Sequence, residues 1–492
     1  MGVNGLWKII DPIKGTANFQ SLAVAEGFSR KYRDYPALRI GVDVSIWIAA
    51  CEAGARAGSL HSMDENAPLK IFFYRLCRLL SIPATFIFVF DGPDRPPRKR
   101  GVSVVNRPLW VTAHLKPLVE DFGFYYHQAP GEAEAELAEL NRRMYIDAIL
   151  TEDSDVIVFG GLNILRCLPN ADHYNEVHIY HHDMIHHSDE VRLSRGGLIL
   201  YALCAGGDYS DGLPDCGPET AFAIGRLDFG DRLLQAFEAL GEGPELDSFL
   251  AAWRIELQDV LRNNPYHDIP RRRPSLADSI TRDFPNLRVL ALYQSPTTSW
   301  STAAPTTSAT FTWIPHLPRP AALARFCCER FGWSPTVVVK RFHKHMWRGL
   351  AIRMFTFPLT LFNPSTMLLV SPFITARIVK FGGVIPAGTG RLLAVKVRLS
   401  TQGFIDALGS KWASYRAGSQ SVSLEIPDLI INAVVPSISV AAATTSLLTN
   451  ASASTVGTSE NPIQITDDEA DELEVGHLVY IPNGEIVDLT LD

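Results

Sequence analysis

Seven carboxylates carry the chemical interest of this 492-residue chain: Asp43, Asp91, Glu132, Glu134, Asp153, Asp155 and Asp208. Three of them close apolar runs, in Leu38-Arg39-Ile40-Gly41-Val42-Asp43, Thr85-Phe86-Ile87-Phe88-Val89-Phe90-Asp91 and Ala148-Ile149-Leu150-Thr151-Glu152-Asp153. Glu132 and Glu134 follow Pro130-Gly131, a helix-opening pair that places both acids in a first turn, where free backbone N–H groups and the helix dipole favour anions. Asp153 and Asp155 stand two apart on a strand end, a spacing that sends both side chains to one face. Asp208 follows a small-residue helix end that allows close approach. Gathered in one crevice and left bare, seven carboxylates repel one another by several kcal/mol, so cations must compensate. An all-oxygen ligand set selects magnesium over zinc, with manganese able to substitute. Two such ions about 4 Å apart activate a water, bind a scissile phosphate and stabilise the departing oxygen. The chemistry is phosphodiester hydrolysis. Any one of these acids alone reads equally well as an ordinary strand-end or loop residue; the case rests on all seven together.

The elements that must position them form an alternating pattern. The three apolar runs read as buried parallel strands, and between them lie helical patterns over residues 68–81, 108–122 and 131–144. Such alternation predicts an α/β sheet with right-handed crossovers. In sheets of this kind ligands bind beyond the carboxyl ends of the strands, so the acidic ends converge on one crevice. A further helix over 197–205 ends at Gly206-Gly207, and helical patterning resumes at Glu219. Residues 262–320, rich in Pro, Arg, Ser and Thr, read as a long connection with little regular structure. Helical spacing returns over 321–331 and 335–349, short β-prone runs over 366–426 suggest a small β module, and 429–448 reads as strand and linker. Residues 440–475 have the composition of a disordered segment.

Hydrophobic residues make up 47% of the chain, a globular composition, and no stretch has the length and apolarity of a membrane span. Neither a signal peptide nor a myristoylation motif opens the sequence. The seven cysteines form no CxxC pair, which argues against a zinc ribbon or a disulfide framework and for a reducing intracellular setting. The net charge of −8 conceals a segregation: residues 417–492 hold twelve acids and no Lys or Arg, leaving residues 1–416 with 45 basic against 41 acidic residues. A mildly basic body with an acidic tail is compatible with a nucleic-acid partner.

Several segments together resemble the signature set of the flap endonuclease/XPG nuclease superfamily: Met1-Gly2-Val3-Asn4-Gly5-Leu6-Trp7, Val42-Asp43-Val44-Ser45, Val89-Phe90-Asp91-Gly92, Gly131-Glu132-Ala133-Glu134-Ala135, Thr151-Glu152-Asp153-Ser154-Asp155 and Gly207-Asp208-Tyr209. They run in order over residues 1–240. Ser45-Ile46-Trp47-Ile48 followed by Cys51-Glu52-Ala53 is similar, more narrowly, to the eukaryotic Holliday-junction resolvase branch. The resemblance implies a PIN-like α/β fold, two Mg2+ ions held by all seven carboxylates, and incision of branched DNA, either a four-way junction or a 5′ flap, in repair and recombination in the nucleus. It implies a monomer in solution with a dimer on DNA, and a contact of Gly2 near the junction. Residues 1–100 and 108–240 then form the nuclease domain, 241–350 a linker and helical extension, 351–435 a chromodomain-like β module, and 436–492 a disordered acidic tail.

The loop Gly212-Leu213-Pro214-Asp215-Cys216-Gly217-Pro218 resembles the family's helix-two-turn-helix, whose backbone amides hold a duplex phosphate together with K+. Gly212 and Gly217 are the candidate DNA contacts there, and Gly217 permits close backbone approach. Glu219-Thr220 stands where the family offers a basic residue, which weakens the expected duplex grip; a plain Gly-Pro turn is the competing reading. Only forty residues separate Asp91 from Glu132, too few for a full helical arch. What remains is a basic loop with Arg95, Arg98, Lys99, Arg100 and Arg107, suited to phosphates or simply a solvated charge run. An open gate favours continuous branched DNA over threading of a free 5′ end.

His182 and His186 share a helical face in His181-His182-Asp183-Met184-Ile185-His186-His187, but without HExxH order they read as a polar surface helix rather than a zinc site. Arg271-Arg272-Arg273 suits DNA contact, nuclear import or neither. In the tail, Ile463 and Ile465, and again Val487 and Leu489, sit in acid-flanked apolar strands that resemble SUMO-interacting motifs, in which an added strand pairs with a sheet edge. A catalytically weak scaffold that binds branched DNA is the second functional reading, favoured by the short gate and Glu219.

Overall fold

The structure is a computed structural model that describes residues 2–434 apart from 29–36, 59–64, 97, 100–101, 104–109, 168–175, 266, 268, 302–310, 357–359, 364, 372–373, 388–389, 413 and 416–420. The tail beyond 434, with the four SUMO-motif residues and the acidic tail expected to be disordered, lies outside the described residues, as do Arg100 and Arg107.

The strands are β1 (Gly15–Asn18), β2 (Leu38–Asp43), β3 (Ala84–Phe90), β4 (Arg98–Lys99), β5 (Val102–Ser103), β6 (Tyr125–Gln128), β7 (Ala148–Leu150), β8 (Asn163–Cys167) and β9 (Glu176–His181). Seven of them make one sheet in the order β1-β9-β8-β7-β2-β3-β6. It is parallel from β8 through β7, β2 and β3 to β6, with β9 and β1 added antiparallel at one edge. Every residue of β3 is buried, as a strand covered on both faces requires. The period of two splits it: Phe86, Phe88 and Phe90 enter one core, Ile87 and Val89 the other. On the first face pack the helices Val44–Gly58, Ala67–Leu80 and Trp110–Asp121; on the second, Ala133–Arg142 and Arg195–Ala205.

The expected connection over 262–320 is corrected. The helix Pro244–Asn263 runs into it, and it contains the helices Pro274–Ser279 and Leu287–Gln294. Val289, Leu290 and Tyr293 of the last one bury against the second core, and Asn286 caps it by accepting from the N–H groups of Arg288 and Val289.

The β module is a five-stranded antiparallel sheet of β10 (Leu361–Asn363), β11 (Leu368–Val370), β12 (Thr375–Ala387), β13 (Gly390–Ser400) and β14 (Ser421–Pro427), in that order. Beyond β14 the chain forms a helix, Asp428–Val434, where the sequence suggested a strand. The sheet's inner face shares the first core, with Trp347 stacked on Phe404 at 4.7 Å between ring centroids. Buried Arg353 fastens the preceding helix, Trp347–Phe355, to the seven-stranded sheet. Its Nη2 donates to the Gly123 carbonyl at 2.8 Å, its Nη1 donates to the Ala84 carbonyl, and its guanidinium lies over Phe124.

Candidate active site

The carboxylates meet beyond the carboxyl ends of β2, β3 and β7. Asp43 ends β2, fully buried; its Oδ1 accepts from the Ser45 amide at 3.0 Å and its Oδ2 from the Thr151 hydroxyl at 3.4 Å. Asp91, one residue past β3, accepts from the Ser45 hydroxyl at 2.7 Å and from the free Ala133 N–H at the mouth of a helix at 2.9 Å. Glu132 is the N-cap of that helix and Glu134 lies in its first turn. Both are buried at an end whose dipole favours anions.

Asp153 and Asp155 depart from the expected geometry. β7 stops at Leu150, and Asp155 opens a short helix, Asp155–Val158, so a turn rather than a strand places the pair. Within that turn the Asp155 amide donates to Asp153 Oδ1 at 3.0 Å, and the Asp153 amide donates to the Thr151 hydroxyl at 3.0 Å. The N-terminal segment closes on the same turn. Gly2 is buried with φ +85°, and a Cβ there would sit 2.1 Å from Asp153 Oδ1. Asn4 then stitches this segment to the end of the helix Arg195–Ala205. Its side-chain amide donates to the Ala205 carbonyl at 3.0 Å, its backbone N–H to Gly206 O at 2.9 Å, and its own carbonyl accepts from Tyr201 Oη at 2.7 Å. Asp208 follows two residues later.

Two cations of the gate reach the acids: Arg95 at Asp91, and Lys99 deeper in the cluster. Lys99, on the β4–β5 hairpin, pairs with Glu132 and lies 3.7 Å from Glu134 Oε1 and 3.6 Å from Asp208 Oδ2. Burial, then the charges of Asp91 and Asp153, push the Asp43 carboxyl up to about 8. Burial also raises Asp155, assisted by Asp153 and Asp208, and raises Glu134 against the opposing pull of Lys99. Asp153 rises for the same first reason, with Asp208 adding to it. These mutual effects tie the acids into one electrostatic unit.

Among the described residues no three His, Cys, Asp or Glu side chains are drawn into a ready metal cage. The donor chemistry nonetheless fits a hard divalent ion: the set is all oxygen, and buried Glu134 Oε2 and Asp155 Oδ2 have no hydrogen-bond partner.

Three groups escaped the sequence reading. Tyr293 points its hydroxyl at Asp155 Oδ1 from 3.5 Å, and its ring meets Tyr209 edge-on at 5.0 Å. Tyr209 in turn donates to Glu132. Glu136, next to the cluster in sequence, faces away from it: its carboxylate accepts from the Ser299 amide at 2.8 Å and contacts His127 Nε2 at 2.8 Å. The Asn286 cap and the apolar spacing Val289, Leu290, Tyr293 were the signal for a helix there, masked by surrounding Pro, Ser and Thr.

The candidate DNA contacts separate. Arg95 pairs with Asp91 at 3.1 Å, and Lys99 lies inside the acid cluster rather than on a solvated loop. Gly2 is buried, so its place is packing against Asp153 in this structure. Gly212, at φ +80°, is needed internally because a Cβ would meet the Cys204 carbonyl at 2.5 Å. Gly217, by contrast, borders open space, with nothing within 4 Å of a Cβ. Glu219 is in the first turn of the helix Pro218–Gly225. His182 and His186 stack at 6.3 Å on a six-residue helix, His182–His187.

Residues 1–104 match the XPG N-terminal domain and residues 123–208 the XPG I-region. The mouse (Mus musculus) "Flap endonuclease GEN homolog 1" is 28% identical over 263 residues, which cover 50% of this chain and 27% of that protein. The Arabidopsis thaliana "Flap endonuclease GEN-like 1" is 29% identical, covering 49% of this chain and 42% of its own length. The chain thus spans well under two thirds of these relatives. A solved eukaryotic junction-resolving enzyme GEN-1 with potassium superposes with a TM-score of 0.68 at 25% identity, covering 92% of this chain and 100% of that one. A second solved structure, the Holliday junction-resolving enzyme GEN1 with product DNA and Mg2+, gives 0.66 at the same identity, over 92% of this chain and 99% of its own.

Proposed function

We propose, from the premise that this chain belongs to the flap endonuclease/XPG nuclease superfamily, that it is a magnesium-dependent endonuclease hydrolysing phosphodiester bonds in branched DNA. The carrying observation is that seven carboxylates from five separate stretches of sequence meet in one cluster, six of them buried and Asp91 half-buried. Asp43, Asp91, Glu132, Glu134, Asp153, Asp155 and Asp208 are the residues to hold the metal, directly or through water. Two Mg2+ ions, with Mn2+ able to replace them, supply activation of a water and stabilisation of the leaving oxygen. Both ions accompany DNA in a solved GEN1 complex, "in complex with product DNA, Mg2+ and Mn2+ ions".

The protein's own groups do the rest. Ser45 and the Ala133 amide fix the orientation of Asp91; Thr151 orients Asp43 and, through the turn, Asp153. Tyr209 holds Glu132 and Tyr293 faces Asp155. Lys99, already at the acids, is the cation placed to receive a phosphate oxygen once metal satisfies them. The loop 212–218 offers its backbone amides to a duplex phosphate, with open space at Gly217 and K+ as the companion ion. The short gate suits continuous branched DNA, so a blocked 5′ terminus should leave cleavage intact.

The finer readings follow from the same premise: the Holliday-junction branch over the flap branch, a monomer that pairs on DNA, action in the nucleus, and SUMO as a partner through Ile463, Ile465, Val487 and Leu489. Among the described residues no helix is long and apolar enough to cross a membrane.

The deciding experiment is Asp153→Asn assayed on flap, nicked, bubble and four-way substrates, with a cruciform plasmid to separate paired nicks from single incisions. Loss of cleavage with retained DNA binding is expected. Unchanged Mg2+-dependent cleavage and metal affinity would sink the catalytic assignment. No cleavage by the unaltered protein on any substrate, with branched-DNA binding intact, would select the scaffold reading.

A further inference from the structure

The outer face of the β module is built against its own stability. The five strands hold five Lys and Arg, namely Arg377, Lys380, Arg391, Lys396 and Arg398, against one acid, Glu425. Register concentrates that charge: Arg377 of β12 stands directly opposite Arg398 of β13, and Lys380 opposite Lys396, while their neighbours Ile378 and Val397 point into the core. All four cations are exposed, and none forms an ion pair among the described residues. Side chains directly opposite on adjacent strands lie about 5 Å apart at Cβ, and like charges there are destabilising. Glu425, opposite Lys396 on β14, is the one acid in register with them. A sheet edge could be kept soluble with scattered lysines. Two like-charged pairs stacked side by side instead make an anion platform.

We infer that this face docks the chain's own acidic segment, residues 460–474, which thereby competes with polyanions for it. Glu460, Asp467, Asp468, Glu469, Asp471, Glu472 and Glu474 lie in that segment, and residues 435–492 contain no Lys or Arg at all. Attachment favours it. The helix Asp428–Val434 follows directly on β14 of the same sheet, so the segment is tethered at the platform's side. The acids lie about 33 residues beyond Val434, and a random coil of that length would have a root-mean-square reach of roughly 30 Å. A five-stranded sheet is only about 20 Å wide, so the acids can cover the face. Tethering at that range gives an effective concentration on the order of millimolar, enough for weak charge pairing to be occupied. At physiological salt the Debye length is about 8 Å, so charges must meet in close contact to matter. This docking does not depend on cleavage and is tested without Mg2+.

Two measurements on the full chain test it. In the unaltered protein, zero-length carbodiimide coupling followed by peptide mass spectrometry should join Lys380 or Lys396 to acids within 460–474. A five-site variant, Asp467→Asn, Asp468→Asn, Glu469→Gln, Asp471→Asn and Glu472→Gln, should bind a short blunt duplex about three- to tenfold more tightly at low salt. In a background carrying Arg377→Gln, Lys380→Gln, Lys396→Gln and Arg398→Gln, the five-site change should have no effect on duplex binding. Equal tightening in both backgrounds would mean charge acting at a distance and overturn the docking. So would a face-neutralised variant that loses duplex affinity while the five-site change alone does nothing, since the face would then take nucleic acid only. Absence of cross-links together with no tightening overturns it as well. Melting curves guard the comparison, because removing opposed cations should leave the transition temperature equal or higher.

Discussion

Lys99 Nζ lies 3.6 Å from Asp208 Oδ2, joining a gate hairpin to an acid contributed more than a hundred residues later. Burial disfavours its charge, but Glu134, Glu132 and Asp208 together hold the ammonium well above its usual range. Lys99 is therefore the resident counter-charge of Glu132, Glu134 and Asp208, as Arg95 is of Asp91. Lys99→Met should lower the melting temperature in EDTA and enlarge the gain on adding Mg2+. Single-turnover cleavage should slow by about 10²-fold if Lys99 then serves the phosphate. An unchanged rate would confine the residue to charge balance.

The raised carboxyls set a pH dependence. Asp43 is pushed up to about 8 by burial and by Asp91 and Asp153, and Glu134, Asp153 and Asp155 are raised as well. Between the unfolded value near 4 and the folded value the native state binds more protons than the unfolded chain, so stability falls as pH rises. Metal-free protein should lose stability from about pH 5 to pH 8, and Mg2+ should flatten the curve. Thermal melts in EDTA and in Mg2+ measure this; a metal-free curve that rises over that window would contradict the assignment.

Gly2→Ala puts a methyl 2.1 Å from Asp153 Oδ1 and 2.6 Å from Ser154 Oγ, at a backbone angle of +85° that L residues resist. The expected cost is about 2 kcal/mol of stability together with slower cleavage. Denaturant midpoints and rates read the two effects separately.

Glu219 opens a helix beside the open space at Gly217. Glu219→Lys should tighten duplex binding about three- to tenfold at low salt and steepen the logarithmic salt dependence by about one unit. An unaltered slope would place the DNA backbone elsewhere.

What the sequence disclosed and what it hid divide along physical lines. Acidic strand ends were legible at Asp43 and Asp91 because a strand buried on both faces is apolar along its middle, and an acid at its carboxyl end stands where such sheets open onto a crevice. Asp155 was misplaced because a two-residue spacing looks the same in a strand and in the turn that opens a short helix. Tyr293 was missed because Pro, Ser and Thr around it outweigh one capped helix of eight residues, and only tertiary packing reveals which site that helix faces. Lys99 was read as a solvated cation. Charge alone gives no sign of direction, and the hairpin that aims it inward pairs two residues on each strand.

The stitch from Asn4 to Ala205 and Gly206 bears on how the protein is made. Ribosomal synthesis delivers the N-terminal segment first, yet its polar partners arrive only after some two hundred further residues, with Asp208 just behind them. Until then the nascent chain cannot assemble its acid cluster. A translation product that stalls earlier would carry the first acids without the partners that complete the cluster.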